Sequence, residues 1–277
     1  MTRDPQAMPQ PILHTDLLQS DARDPDAWIV VIPGIYGAGR NWRPVARRLV
    51  EAREDWGVIL ADLRGHGRSP HLDPPHTMET ATKDLEETLR SMGLPVRAVL
   101  GHSFGGKIAL TMATEGRFPL EQVWVIDSTP EAGDPRGSAW GMLRVLRVYP
   151  GPFPDRDTAI SAIESEGYPN RVAQWMSTNL VAEGDELAWR LDPDQMEAML
   201  RDFFVEDRWS IVEDPPRGMG LHFVRATDSS VLSEGAAHRI LDAGRRTGRV
   251  HLHTVEGGHW LNADNPEALH RLLVSHL

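Results

Sequence analysis

Cysteine is absent from this sequence of 277 residues. Without thiols the chain forms no disulfides, no thiolate zinc sites and no iron–sulfur clusters, and it has no cysteine nucleophile. Any covalent catalysis must therefore use another type of side chain.

Long apolar segments are missing as well. The first 27 residues are polar and rich in proline, without the apolar core of a signal peptide. The densest apolar run, Trp28–Ile32, is far too short to span a bilayer. These features predict a soluble, cytoplasmic protein without a membrane partner.

Positive charge is scarce. The sequence has 29 Lys and Arg residues against 40 Asp and Glu residues, which gives a formal net charge of -11. This excess of negative charge repels a phosphate backbone. We therefore expect no nucleic-acid partner. The composition leaves the oligomeric state open.

Short apolar runs alternate with helical patterns along most of the chain. In the helical stretch Thr77–Met92, the residues Ala81, Leu85 and Leu89 recur at spacings of four behind a threonine cap. The stretch Ile12–Leu18 is compatible with an antiparallel edge strand. An α/β fold with a mostly parallel, doubly wound sheet is predicted. The predicted strands are Trp28–Pro33, Gly57–Leu63, Arg97–Gly101, Gln122–Asp127, Met219–Ala226 and Arg249–Glu256.

The alternation stops between Glu131 and Arg217, where no strands and only helical segments are predicted. Proline and glycine cluster at both ends of this region, as suits two chain crossings. We expect residues 131–217 to form an inserted helical cap (lid) on a core domain built from residues 1–130 and 218–277. The predicted cap helices are Trp140–Leu146, Asp157–Glu164, Arg171–Val181 and Asp192–Phe204.

Ser103 is the candidate nucleophile. Residues Gly101–Gly105 read GHSFG, a GxSxG pattern directly after a predicted strand and directly before a predicted helix. A serine on such a sharp turn, the nucleophile elbow, is held in a strained conformation, and the flanking glycines avoid collisions with the strand and the helix. The strand–turn–helix context favours nucleophilic catalysis over a chance match.

Nucleotide binding is the competing interpretation of this region. Gly101–Lys107 also fits GxxxxGK, but Ile108 follows where a phosphate-binding loop needs Ser or Thr to bind magnesium. Gly34, Gly37 and Gly39 have the order GxxGxG rather than the GxGxxG of dinucleotide sites. Both motifs are therefore weak.

His259 is the candidate general base. It follows Gly257 and Gly258 after the last predicted strand, on the sheet edge where Ser103 is expected. An acyl-transfer site also needs an oxyanion hole, for which the backbone N–H of Phe104 is one donor. The N–H of Ile35, in the turn after Trp28–Ile32, is the second, with Tyr36 as the alternative.

Four segments together resemble the α/β-hydrolase superfamily of serine hydrolases. They are PGIYGAGRNW at Pro33–Trp42, DLRGHGRS at Asp62–Ser69, GHSFGGK at Gly101–Lys107, and Gly258–Trp260. The sequence is most similar to the YbfF-like small esterases, although Pro33 occupies a position where the family usually has His. The resemblance implies a structural role for Asp62–Ser69, as a loop that braces the nucleophile turn.

The triad acid has two candidates. The usual family position follows the strand Leu221–Val224, where Thr227-Asp228-Ser229-Ser230 does not align with the family's Gly-x-Ser-Asp. The subgroup resemblance implies that Asp127, at the end of the strand after the nucleophile helix, takes this role. Asp228 stays as the alternative, and either choice gives the chain order Ser, Asp, His.

Several aromatic and histidine residues are weaker candidates. Tyr36, Trp140, Trp175 and Trp260 are predicted substrate contacts beneath an apolar pocket roof. The pair of histidines in HLDPPH, His71 and His76, is better explained by a solvated loop than by a metal. No metal and no cofactor are expected.

The combined expectation is hydrolysis of a carboxylic ester, a thioester or a lactone. A small, largely apolar substrate would form an acyl-enzyme on Ser103 with a Ser-His-Asp triad. Carbon–carbon hydrolysis or perhydrolysis with the same triad is one alternative. A hydrolase-fold protein that binds a small molecule without useful turnover is the other, because a fold does not determine a function.

Overall fold

A seven-stranded sheet forms the centre of the computed structural model, which describes residues 12–135 and 137–277. The strands are β1 (Thr15–Leu18), β2 (Ala27–Ile32), β3 (Trp56–Ala61), β4 (Val96–His102), β5 (Gln122–Ile126), β6 (Leu180–Glu183), β7 (Glu186–Trp189), β8 (Gly220–Ala226) and β9 (Val250–Val255). The order in the sheet is β1-β3-β2-β4-β5-β8-β9. Only its edge pair β1–β3 is antiparallel among the pairings of the described residues. The predicted fold class and the predicted edge strand are both confirmed.

Helices connect the strands. They are α1 (Arg43–Ala52), α2 (Met78–Met92), α3 (Phe104–Glu115), α4 (Ser138–Val148), α5 (Arg156–Ser165), α6 (Asn170–Ser177), α7 (Pro193–Val205), α8 (Trp209–Glu213), α9 (Glu234–Thr247), α10 (Leu261–Asp264) and α11 (Pro266–His276), with a 3-10 turn at Gly39–Trp42. In the described part of the chain, none of them is both long and apolar enough to cross a membrane.

Two apolar layers enclose the sheet. Successive strand residues point to opposite faces, so Val30 and Ile32 pack with α2, α3 and α9, whereas Ile29 and Val31 pack with α1 and α11. Both sets are buried, because parallel strands are covered by helices on each face. This two-sided burial explains why the strands are continuous apolar runs rather than alternating ones.

The helix predicted at Thr77–Met92 is present and has caps at both ends. The Thr77 hydroxyl accepts a hydrogen bond from the N–H of Thr80 at 3.1 Å, which satisfies one of the free donors of the first turn. Gly93 ends the helix at φ 65°, a left-handed conformation that glycine adopts without strain.

The region of residues 131–217 contains α4 to α8, and it also contains a β-hairpin that the sequence analysis missed. Strands β6 and β7 pair antiparallel in a separate two-stranded sheet. The helix predicted at Arg171–Val181 therefore ends earlier, at Ser177, and residues from Leu180 onward form β6. Four-residue strands are too short to give a clear two-residue period, which is why the pattern suggested only helices.

The Asp62–Ser69 segment is a loop held by its own carboxylate. Asp62 Oδ1 accepts from the N–H of Gly39 at 2.7 Å, and Oδ2 accepts from the N–H of Arg68 at 2.8 Å. These bonds tie the loop to the chain that follows β2. The brace predicted for the nucleophile turn thus supports the neighbouring loop of residues 33–39.

Candidate active site

The turn at Ser103 joins β4 to α3 with a strained backbone. Ser103 has φ 52° and ψ -117°, and a positive φ is rare for a residue with a side chain. A Cβ on Gly101 would lie 1.9 Å from the carbonyl oxygen of Gly105, and a Cβ on Gly105 would lie 2.5 Å from that of Ile32. Both glycines of the GxSxG pattern are therefore required by the packing of strand and helix. The N–H of Ser103 donates to the carbonyl of Ile126 at 3.0 Å, which anchors the turn to β5.

His259 lies on the loop after β9 and contacts Asp127, which follows β5. His259 Nδ1 and Asp127 Oδ2 are 2.7 Å apart. Asp127 is fully buried, and its Oδ1 accepts a hydrogen bond from the N–H of Ala226 at 3.2 Å. Because the carboxylate accepts, Nδ1 of His259 donates and its Nε2 is left as the basic nitrogen.

Asp228, the alternative acid, lies elsewhere. Its side chain is exposed and accepts a hydrogen bond from the hydroxyl of Thr227 at 3.0 Å. Its backbone N–H donates to the carbonyl of Gly257 at 2.9 Å, so the residue stabilises the start of the histidine loop. The structure brings Asp127 to the imidazole of His259, and Asp228 only to the backbone before it.

His102 is a site residue that the sequence analysis did not single out. Its ring is buried, and Nε2 lies 2.7 Å from the carbonyl oxygen of His259. Burial lowers the pKa of His102 to about 3, so the imidazole is neutral at pH 7 and donates from Nε2 to that carbonyl. The two rings are also in contact, with centroids 4.7 Å apart. His102 therefore positions the His259 loop, and its place beside Ser103 in GxSxG was the available signal.

The loop after β2 passes directly over the nucleophile turn. A Cβ on Gly34 would lie 3.2 Å from the Cβ of Ser103, so only glycine allows this approach without displacing a neighbour. Ile35 follows in the loop, and Phe104 is the first residue of α3. Both line a cavity together with Ser103. The two predicted oxyanion donors are thus brought to the same serine.

Tyr36 connects this loop to the segment of residues 131–217. It is buried at φ 65°, its hydroxyl donates to the carbonyl of Ala139 at 2.8 Å, and its carbonyl accepts from Asn179 Nδ2 at 2.8 Å. Burial raises the pKa of Tyr36 well above its usual value, which keeps the hydroxyl protonated as a donor. Tyr36 also lines one cavity, as predicted for a substrate contact.

Two cavities meet at Ser103 and His259. The smaller has a volume of about 60 Å³, and its lining residues include Met142, Trp175 and Trp260. The larger has a volume of about 250 Å³ and a wall of apolar side chains, with carboxylates at its edge. The walls that both cavities share are Ile35, Ser103, Ser138, Ala139 and His259.

The predicted tryptophan contacts divide into two groups. Trp175 and Trp260 pack against one another, with ring centroids 5.7 Å apart, in the wall of the smaller cavity. Trp140 lines neither of the two cavities, contrary to its prediction. In α4 it is Ala139 that faces the site, and the next residue points about 100° away around the helix, toward Phe204 and Arg201.

Lys107 is a second residue whose importance the sequence did not reveal. Its buried ammonium group donates to the carbonyls of Glu131, Phe203 and Glu206 at 2.8, 2.6 and 2.8 Å. It lies on α3, the helix that begins after Ser103, and its acceptors lie at both ends of the segment that runs from Glu131 to Glu206. The lysine that completed a nucleotide-binding motif in the sequence thus holds that segment onto the nucleophile helix.

The comparisons with known proteins agree with this geometry. Residues 29–272 match the family described as "Alpha/beta hydrolase family". The chain belongs to this family. It is 28% identical over 266 residues to a mouse (Mus musculus) protein named sn-1-specific diacylglycerol lipase ABHD11, a match that covers 92% of this chain and 81% of that protein.

Two further relatives span nearly the whole chain. Esterase YbfF of Escherichia coli (strain K12) is 23% identical over 250 residues, which cover 90% of this chain and 92% of that protein. A solved structure titled "Marine microorganism esterase" superposes with a TM-score of 0.82 at 22% identity, covering 96% of this chain and 99% of that one. The structural likeness supports the fold, and the family supports hydrolase chemistry in general.

Proposed function

We propose that this protein is a serine hydrolase that cleaves carboxylic esters of small, uncharged, largely apolar substrates through an acyl-enzyme on Ser103, without a cofactor. The observation that carries the proposal is the 2.7 Å contact between His259 and the buried carboxylate of Asp127. His259 shares the walls of both cavities with the strained Ser103. A buried carboxylate that orients an imidazole beside a serine is the arrangement that activates a hydroxyl nucleophile.

The reaction begins when His259 Nε2 accepts the hydroxyl proton as Ser103 Oγ attacks the ester carbonyl carbon. The carbonyl oxygen becomes negative and accepts hydrogen bonds from the N–H groups of Phe104 and Ile35. His259 then gives the proton to the leaving alcohol, and the acyl group stays on Ser103. A water molecule, deprotonated by His259, attacks the acyl carbon and restores the serine.

The two cavities suit the two halves of an ester. An apolar cavity of about 150 Å³ holds a benzene molecule, so the larger cavity has room for more than one such ring and the smaller does not. We assign the bulkier half to the larger cavity, whose wall includes Phe104, Leu200 and Phe203.

The charge at this cavity favours a neutral substrate. Glu131 and Asp134 lie at its edge and would repel an anionic group. Moving a charged group against the aromatic wall would also cost its hydration energy.

In this proposal residues 131–217 act as a cap that shapes both cavities. Tyr36, Trp175 and Trp260 take part in substrate binding, and Trp140 does not. Thioesters and lactones present the same carbonyl carbon to Ser103 and remain within the proposed chemistry. The names of the mouse and E. coli relatives, a lipase and an esterase, favour oxygen esters.

A fluorophosphonate probe tests this proposal together with turnover of p-nitrophenyl esters. We expect the wild-type protein to be labelled and to hydrolyse the esters, and Ser103→Ala to lose labelling and about a million-fold in turnover. Labelling that persists in Ser103→Ala would contradict the assignment of the nucleophile. Binding of esters without turnover above buffer would instead support the small-molecule binder.

A further inference from the structure

Three histidines converge at the opposite end of the sheet from Ser103. They are His222 on β8, His253 on β9 and His276 at the end of α11, and one ring nitrogen from each lies within 4.8 Å of the others. His222 Nδ1 and His253 Nε2 are 3.1 Å apart. In the described part of the chain, this is the group in which three such side chains could hold a metal ion.

We propose that His222, His253 and His276 bind one late first-row divalent cation, for which Zn²⁺ is the probe. Imidazole nitrogen is a preferred ligand of zinc, copper and nickel. A bound water molecule would complete a tetrahedral zinc site with three histidine ligands.

The strand register explains why the rings meet. Trp124 pairs with His222 across β5 and β8, and His222 pairs with His251 across β8 and β9. His251 and His253 are two residues apart, so their side chains share one face of β9. That face is the one on which Trp124 and α11 pack, and α11 brings His276 to it. Stacking on Trp124, at 4.2 Å between centroids, explains the position of His222 but not the convergence of three ring nitrogens.

The distances approach those of a zinc site. With Zn–N bonds of about 2.0–2.1 Å, tetrahedral ligand nitrogens lie about 3.4 Å apart. The pair His222–His253 already has nearly this spacing, so closing the site requires His276 to move by about 1–1.5 Å at most relative to the 4.8 Å limit. His276 is exposed at the last turn of α11, where its side chain has room to rotate.

The protonation states also suit a metal. His276 Nδ1 donates to the carbonyl of Leu272 at 2.9 Å, which leaves Nε2 without a proton, and metal-binding histidines are commonly oriented in this way. Burial, together with the neighbouring imidazoles, lowers the pKa of His222 to about 3 and that of His253 to about 4. Both rings are therefore neutral at pH 7, as a metal requires.

The location predicts an effect on stability rather than on catalysis. Ser103, Asp127 and the His259 loop follow the carboxyl ends of strands, whereas His222 lies in the first half of β8. A metal at the three histidines would join the end of α11 to β8 and β9. It would stabilise the folded chain because the unfolded chain does not assemble the site.

Isothermal titration of the untagged, metal-free chain with Zn²⁺ tests the proposal. We expect one ion per chain with a Kd in the micromolar range or tighter. His276→Ala and His253→Ala should each weaken binding at least ten-fold. The control His238→Ala, an exposed histidine on α9, should stay within two-fold. His259→Ala should also keep full binding, which separates this site from the active site.

Thermal unfolding gives an independent measurement. At a Zn²⁺ concentration one hundred times Kd, the Tm of the wild-type chain should rise by about 5 °C. The rise should be lost in His276→Ala, whose exposed side chain is not needed for folding. Absence of saturable binding, unchanged affinity in His276→Ala and His253→Ala, or loss of binding in His259→Ala would each overturn the proposal.

Discussion

Replacement of Asp127 by Asn is the sharpest test of the proposed triad, because the surrounding hydrogen bonds determine how the amide must point. Asp127 Oδ1 accepts from the buried N–H of Ala226, and Oδ2 contacts His259 Nδ1. An asparagine keeps the first bond only if its oxygen faces Ala226, because otherwise two donors meet. Its NH₂ group then faces His259.

This orientation forces the wrong tautomer on His259. A donor facing Nδ1 requires Nδ1 to be unprotonated, so the proton moves to Nε2, and Nε2 can no longer accept the proton of Ser103. In the worked example of the serine protease triad, the same change lowers kcat by about ten-thousand-fold. That loss corresponds to about 5.5 kcal/mol of transition-state stabilisation.

The assay is steady-state hydrolysis of a p-nitrophenyl ester by Asp127→Asn and by the matched variant Asp228→Asn. We expect the first to lose most of its kcat and the second to keep most of it, since the Asp228 side chain bonds to Thr227. Circular dichroism and urea unfolding must show that both variants are folded before rates are compared. A loss below ten-fold in Asp127→Asn, or an equal loss in Asp228→Asn, would refute the assignment.

Two further predictions concern the cavities and the response to acid. Trp175→Ala should enlarge the smaller cavity and raise relative kcat/KM for esters with a bulkier group in one half only, measured with one series of varied acyl groups and one of varied alcohols; Trp140→Ala should leave both series unchanged, and equal shifts in both variants would contradict the assignment of the cavities. Burial lowers the pKa of His66 to about 4 and that of His102 to about 3. The unfolded chain, with histidine pKa values near 6.5, therefore binds more protons below pH 6.5. Stability present above pH 6.5 should then fall by roughly 1 kcal/mol per histidine by pH 5.5, as urea unfolding can measure, and a smaller pH dependence in His66→Asn is expected.

The fold was predictable because two strong signals agree along most of the chain. Apolar runs such as Trp28–Ile32 alternate with helices such as α2, and few architectures other than a parallel sheet fit that order. The positions of Ser103 and His259 followed from the same argument, since each comes directly after a strand, and the carboxyl ends of parallel strands share one edge.

The parts that sequence analysis missed depend on contacts between distant residues. The hairpin of β6 and β7 has strands of only four residues, and its partner contact with Phe153 cannot be read from a period. Trp140 and Ala139 are neighbours in sequence, and only the rotation of α4 decides which one faces the site. Lys107 matched a phosphate-loop motif, and nothing local indicates that its partners are three carbonyls about 24 to 99 positions away.

Lys107 links the choice of substrate to the placement of the nucleophile. A charged lysine has three N–H donors, and its three acceptors use all of them, so each buried group is satisfied. Burial lowers the pKa of Lys107 to about 8, still above neutral, and the charged form predominates at pH 7. Phe203 offers both its carbonyl to this ammonium group and its ring to the wall of the larger cavity. A substitution that displaces Phe203 therefore changes the pocket and loosens a contact of the helix that carries Ser103, so effects on specificity and on rate should be coupled at this residue.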